Sequence, residues 1–269
     1  MIEKMKKDYI KAKKTATPEN AVLYEVKNNI AFITLNDPEN RNKLEPDMCS
    51  ALGDAWIRFE KDPEAGIALL SANGPDFCLG ADMQSPNLLN VLGRAFPPNG
   101  TLVPKPIIGA LHGTVSGSGY GLALGTDITF ATKDTQFIFP EVWVGIIGRV
   151  PEFIPYMPFK VAMEFYLSGQ PMSADRAYEV GLVNKVVTDK SELMAESVKL
   201  AETINKNAPL TIRAIKYGLH KIRETAEQKA QREARNEFNA FVKPQLLSED
   251  LREGVKALFE LRDPEFKGR

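Results

Sequence analysis

FCLGAD at residues 77–82 and HGTVSGSGYGLALGTD at residues 112–127 are the two stretches on which the reading of this chain turns. Each is an apolar run that breaks into a turn, and glycine there lets the backbone approach a ligand closely. Two such turns aim two backbone N–H groups at one oxygen. That arrangement stabilises negative charge developing on a carbonyl oxygen. The charge exists only in the transition state, so donors placed for it accelerate a reaction rather than merely bind its substrate.

The core of the second run, Gly117-Ser118-Gly119-Tyr120-Gly121, follows an apolar strand and opens a helix. A dinucleotide fingerprint needs G-x-G-x-x-G spacing near the start of its domain, which this run lacks. A nucleophile elbow centred on Ser118 needs a glycine at position 116, where Ser116 stands. A helix N-terminus whose N–H groups hold an anion or oxyanion fits the glycine density best. Further on, PEVWVG at 140–145 puts Glu141 just after a strand among apolar neighbours. Burial there raises a carboxyl pKa and suits it to acid–base work. By pattern alone, a structural glutamate satisfied by local N–H groups is the better reading.

Composition narrows the class. The chain has 269 residues, 43% hydrophobic and 26% charged, with a formal net charge of −1. This is an ordinary globular composition with no bulk positive field for nucleic acid. No apolar run is long enough to span a bilayer. The two cysteines, Cys49 and Cys78, make no disulfide framework and suit a reducing, cytoplasmic setting. Cys78 reads as a small packing residue rather than a nucleophile, and His112 and His220 as structural and exposed respectively. No His/Cys/Asp spacing suggests a metal. The Lys-rich residues 1–19 read as a solvated extension, since they contain no apolar segment of the signal-peptide type.

Alternating patterns predict strands at 22–26, 30–35, 67–71, 106–111, 128–131, 136–139 and 183–187. Helical spacing predicts helices at 45–61, 88–92, 119–124, 161–168 and 173–180, then a strand-free run at 191–207, 210–221, 223–241 and 249–262. The fold class is therefore α/β. A core is expected over 20–205 and a helical C-terminal region over 206–269. Phe238, Phe241, Leu246 and Leu258 are too many apolar residues for a lone exposed tail, so they are expected to dock on the core or on another subunit.

These pieces together resemble the crotonase, or enoyl-CoA hydratase/isomerase, superfamily. The matching stretches are FCLGAD, KPIIGALHG at 105–113, the glycine turn, PEVWVGI at 140–146, LSGQPMSADRAYEVGLVNKVV at 167–187 and SEDLREGVKALFELRDPEFKGR at 248–269. The resemblance implies a spiral of ββα units with a C-terminal helical trimerisation region, and a homotrimer or homohexamer. It implies an acyl-CoA thioester substrate, whose coenzyme A is part of the substrate and no separate cofactor, and no nucleic-acid or membrane partner. It assigns the oxyanion donors to the N–H groups of Ala81 and Ser118 and the acid–base role to Glu141. Substrate and CoA contacts are implied at Lys43, Leu44, Gly80, Asp82, Met83, Gly117, Gly121, Trp143, Phe259 and Arg262.

The chain also departs from the family pattern. Hydratases of the family carry a second glutamate three residues after the helix donor, and that position is Gly121. Arg149 stands where a glycine is usual, read as a surface or subunit contact or a partner for an anion, and Glu152 is a candidate substitute acid. The resemblance thus implies hydratase or isomerase chemistry with Glu141 as the single acid–base group. The alternatives are another crotonase-type reaction, such as decarboxylation or C–C or thioester hydrolysis, and a non-catalytic acyl-CoA-binding protein.

Overall fold

Asn28 and Asn29 start the sheet. Both have positive φ, 51° and 61°, the left-handed pair of a two-residue type I′ hairpin. They join β1 (Val22–Lys27) to β2 (Ile30–Leu35) in antiparallel register, with Lys27 opposite Ile30. Then come β3 (Ile67–Ala72), β4 (Ile107–Leu111), β5 (Thr114–Ser116), β6 (Ile128–Thr132), β7 (Gln136–Ile138), β8 (Met172–Ser173) and β9 (Lys185–Val187). This computed structural model describes residues 7, 20–97, 103–146, 156–220 and 247–268. The expected helix at 223–241 and residues Phe238, Phe241, Leu246, Arg149 and Glu152 lie outside them. So does the N-terminal extension, apart from Lys7.

The chain divides into two compact units, one of residues Lys13–Ile138 and Met172–Tyr217, the other of Met1–Ala12, Phe139–Pro171 and Gly218–Arg269. This division is interleaved along the sequence.

The first unit holds all nine strands of the described residues. Six form one sheet in the order β1-β2-β3-β4-β6-β9, parallel from β2 onward. Every residue of β4, and all but the last of β3, is buried, the continuous apolar run expected of a parallel strand covered on both faces. The helix Lys190–Asn205 lies over Ile67, Leu69, Ile108, Ala110 and Phe130 through Leu193 and Ala201. Asp189 caps it by accepting the N–H groups of Ser191 and Glu192 at 2.8 and 2.9 Å. The helix Pro46–Lys61 buries Met48, Leu52, Ala55, Trp56 and Phe59, the three-and-four spacing visible in the sequence. Lys105 donates to the Phe59 and Asp62 carbonyls at 2.7 and 2.5 Å, a cation on the negative end of that helix.

The remaining strands form a sheet β5-β7-β8. Neither β5 nor β8 is foreseen by the alternation of residue types. At three and two residues they are too short to carry a period, and partners distant in sequence create them.

In the second unit the chain after Phe139 makes a 3-10 turn, Pro140–Val144. The helix Phe159–Ser168 packs against it, with the Tyr166 ring edge-on to Phe139 at 4.8 Å. The helix Glu249–Glu260 adjoins its other end, where Gly254 meets the Val144 carbonyl. Beyond that helix the tail folds back on it. Arg262 forks onto Glu253 at 2.5 and 2.9 Å, and Asp250 accepts the N–H groups of Lys267 and Gly268 at 2.6 and 2.7 Å.

Candidate active site

Three chain segments lie side by side in the first unit: 41–44, 77–82 and 112–118. The middle segment bonds to both neighbours. On one side Leu79 N–H donates to Arg41 O at 3.3 Å, Leu44 N–H to Gly80 O at 2.8 Å and Asp82 N–H to Leu44 O at 3.0 Å. On the other, Phe77 N–H donates to His112 O at 2.9 Å, Cys78 N–H to Thr114 O at 3.2 Å and Ser116 N–H to Cys78 O at 3.0 Å. Leu44 pairs with Ala81, and Cys78 with Val115, as parallel bridges.

Alternation then sets which way the backbone N–H groups face. Leu44 bonds to the residues before and after Ala81, so the N–H of Ala81 itself turns away from the Leu44 segment. The segment 112–118 ends in Gly117, whose φ is 53° and whose N–H donates to Ile138 O at 3.1 Å. The helix Ser118–Leu124 starts there. Ser118 N–H stands in the first turn, where helical N–H groups have no intrahelical acceptor. Among the described residues, no carbonyl accepts it.

Two glycines make the approach possible. A Cβ on Gly80 would sit 2.8 Å from Ser116 O and 3.4 Å from Ser118 N, and its φ of +98° is itself a glycine conformation. A Cβ on Gly119 would meet Cys78 O at 2.5 Å and Cys78 Cβ at 2.8 Å. Cys78 packs between these turns, and its sulfur accepts Gly80 N–H at 3.4 Å. Burial pushes its thiol up to about 12, which keeps it protonated and suits the packing role over the nucleophilic one.

The structure gathers Lys43, Leu44, Gly80, Ala81, Asp82, Gly117, Ser118 and Gly121 in this one unit. Lys43 and Leu44 are buried. Burial pulls the Lys43 ammonium below its ordinary pKa, against the opposing pull of Asp82 and Glu45. Asp82 is buried and accepts the Gln84 N–H at 3.2 Å and the Ser85 hydroxyl at 3.1 Å, so it shapes the turn after Ala81. Met83 is 47% exposed. Gly121 is buried within its helix. His112 is buried with its Nε2 3.1 Å from Gly74 O, whereas His220 is half-buried rather than exposed.

Glu141, Trp143, Phe259 and Arg262 belong to the second unit. Glu141 sits in the 3-10 turn just after β7, and Ile146 N–H fastens that turn by donating to Glu141 O at 2.9 Å. The residue as a whole is half-buried, but its Oε2 is out of solvent with no hydrogen-bond partner among the described residues. The oxygen's surroundings govern its acidity. Burial raises its pKa from 4.5 to about 7, against a small opposing effect of its own backbone N–H. The Trp143 Nε1 is likewise buried without a partner among the described residues. Phe259 lies half-buried on the helix Glu249–Glu260. Arg262, expected near phosphate groups, has its guanidinium on Glu253 and Glu260.

One feature the sequence does not advertise is Asp76. It precedes FCLGAD, is buried, and joins Arg41 at 2.6 Å and Thr114 N–H at 2.8 Å. No residue spacing marks that contact, because its partners lie 35 and 38 positions away.

A model of the family described as enoyl-CoA hydratase/isomerase matches residues 25–269. The chain belongs to that family. It is an enzyme of the enoyl-CoA hydratase type by descent, and its α/β architecture is the crotonase fold. It is 32% identical over 251 residues to the mevalonyl-coenzyme A hydratase of Aspergillus fumigatus, covering 89% of this chain and 92% of that protein. It is equally similar, 32% over 251 residues, to the carnitinyl-CoA dehydratase of Salmonella typhimurium, covering 89% of this chain and 95% of the relative. Among solved structures, the carnitinyl-CoA hydratase of Mycobacterium avium superposes with a TM-score of 0.79 at 32% identity, over 94% of this chain and all of that one. No helix among the described residues is long and apolar enough to cross a membrane.

Proposed function

We propose that this protein hydrates and dehydrates an acyl-CoA thioester across its C2–C3 bond, with Glu141 as the single acid–base group and the N–H groups of Ala81 and Ser118 as the oxyanion donors. The buried Oε2 of Glu141 carries this reading. It has no hydrogen-bond partner among the described residues, and its pKa is raised to about 7. A carboxyl that titrates near the working pH is effective both at taking and at returning a proton. The two curated relatives described above are named as a hydratase and a dehydratase of CoA esters, which favours water addition and elimination over isomerisation.

The proton balance closes with one carboxyl. In hydration the Glu141 carboxylate takes a proton from water as the oxygen adds to C3. The C2–C3 π electrons move toward the thioester, and its oxygen becomes the enolate oxyanion between the two N–H groups. Glu141 then returns its proton to C2, the carbonyl re-forms and the carboxylate is restored. Elimination runs the same steps backwards. Each oxyanion donor of this kind contributes on the order of 10²–10³ in rate. Gly121 takes no part in proton transfer and leaves room for the acyl group.

The working state is a homotrimer or homohexamer in the cytoplasm. Leu210, Ile215 and Tyr217 on the helical residues 209–220 are 78%, 56% and 51% exposed, an apolar surface suited to a neighbouring subunit.

The test is turnover of crotonyl-CoA, carnitinyl-CoA and mevalonyl-CoA, followed through the absorbance of the conjugated thioester. Glu141→Gln is expected to lower kcat by roughly 10²–10⁴. Undiminished turnover in that variant refutes the single-acid mechanism. Tight CoA-ester binding without turnover of any thioester refutes the enzymatic reading.

A further inference from the structure

The two proposed donors ride on segments held together by very few bonds. Between 77–82 and 112–118 the ladder has three hydrogen bonds, at Phe77, Cys78 and Ser116. The ladder is brief, so a side-chain anchor at its root adds materially to what fixes its register. At its root stands Asp76. Its Oδ2 takes Arg41 Nε at 2.6 Å, and its Oδ1 takes Thr114 N–H at 2.8 Å. Its carbonyl oxygen takes Asn42 Nδ2 at 3.0 Å, and the same Asn42 amide reaches Asn73 O at 2.8 Å. One buried residue therefore grips all three segments, two of which run on to the proposed donors. Asp76 contacts neither Ala81 nor Ser118, and the proposed chemistry gives it no role.

We infer that Asp76, held by Arg41 and Thr114, is a positioning residue that sets the register in which the Ala81 and Ser118 N–H groups stand side by side. The inference rests on the reading of those two groups as oxyanion donors. The physics is leverage. Ala81 is five residues beyond Asp76, about 16 Å of extended chain. A slip at the root is carried along both segments and reaches the donors undiminished. The Asp76 side chain is 5% exposed and that of Arg41 22%. This pair is shielded from water and salt more than a surface ion pair, and its charge-assisted bonds are short and directional. Burial alone would push the Asp76 carboxyl up. The bonds from Arg41 and Thr114, with the Arg41 charge, outweigh that and hold it below its ordinary pKa.

A misplacement of about 1 Å at a reacting centre lowers rate on the order of 10²-fold. Asp76→Asn keeps an acceptor for Thr114 and loses the charge pair. It is expected to lower kcat about ten- to a hundredfold while KM for the CoA ester stays within about threefold. Arg41→Met should match it, Arg41→Lys should recover part of the loss, and the Asp76→Asn/Arg41→Met double variant should be no worse than either alone. The donors are read directly by the infrared carbonyl stretch of bound crotonyl-CoA labelled at C1. It is recorded in the Glu141→Gln background, where turnover is suppressed, and well below each variant's Tm.

With Asp76 intact the stretch should move to lower frequency on binding, and in Asp76→Asn or Arg41→Met the shift should shrink and broaden. A full shift and full kcat in both variants overturn the inference and leave the donors standing. No shift even with Asp76 intact refutes the donor reading itself, and this inference falls with it. A fall in Tm with unaltered kcat and carbonyl stretch assigns Asp76 to stability alone and also overturns it. If Asp76→Asn does not fold, Arg41→Met carries the same test from the more exposed partner.

Discussion

Replacing Glu141 by glutamine should shift relative stability toward the variant as pH rises into mild alkali, while suppressing activity. The folded state raises the Glu141 pKa from 4.5 to about 7. At about 1.4 kcal/mol per pKa unit, holding the carboxylate in its folded site is disfavoured by about 3 kcal/mol relative to the unfolded chain. The sign follows from proton binding. Between 4.5 and about 7 the folded state holds the proton more tightly than the unfolded state. Stability is therefore highest below this interval, falls as pH rises through it and levels off above it. Glutamine carries no titrating proton and escapes the fall. The stability difference between variant and parent should move toward the variant by about 2 kcal/mol from about pH 5.5 to about pH 8.5. An amide left without a partner lowers stability by about 1–3 kcal/mol at both pH values, so the movement, not the absolute difference, is diagnostic. Urea unfolding of both proteins at one fixed subunit concentration measures it, since oligomerisation makes apparent stability depend on concentration. The parent's kcat/KM should meanwhile fall about tenfold per pH unit below about 7 as the base is protonated. Parallel pH–stability curves for the two proteins would refute the reasoning, because they would mean that the Glu141 carboxyl has an ordinary acidity.

Four further outcomes follow from the geometry. Ser118→Ala should leave kcat within a few-fold, while Ser118→Pro, which removes the N–H, should lower it at least about 10²-fold; a steady-state assay that finds Ser118→Ala inactive would give the hydroxyl a chemical role. Gly119→Ala puts a methyl group 2.5 Å from Cys78 O, so it should lower stability by about 1–3 kcal/mol in thermal unfolding and lower kcat through the displaced helix. Asp189→Ala deletes the cap of the helix Lys190–Asn205 and should lower stability by about 1 kcal/mol with no change in kcat. Gly121→Glu should not raise turnover on the native substrate. Crotonyl-CoA hydration gained by a folded Gly121→Glu protein would show that only the second acid was missing, and its failure to fold would show that the glycine serves packing.

Residue types and their spacing were enough to reveal the α/β class, the amphipathic helix at 45–61 and most of the strands, because these depend on local period. The motifs at 77–82, 112–127 and 140–146 also carried the family, since close backbone approach demands glycine at particular positions. What only the tertiary structure decided is how those motifs meet. The strands β5 and β8 exist because partners distant in sequence complete them. The turning of Ala81 N–H away from the Leu44 segment follows from the alternation of a parallel bridge, which no local pattern encodes. The raised pKa of Glu141 depends on the loss of solvent around its Oε2, and burial of a single atom leaves no trace in composition. Asp76 looks like an ordinary charged residue ahead of a motif. It becomes a buried junction because Arg41 and Thr114 arrive beside it from 35 and 38 residues away, and a hydrogen bond is selected by distance in space, to which order along the chain is blind.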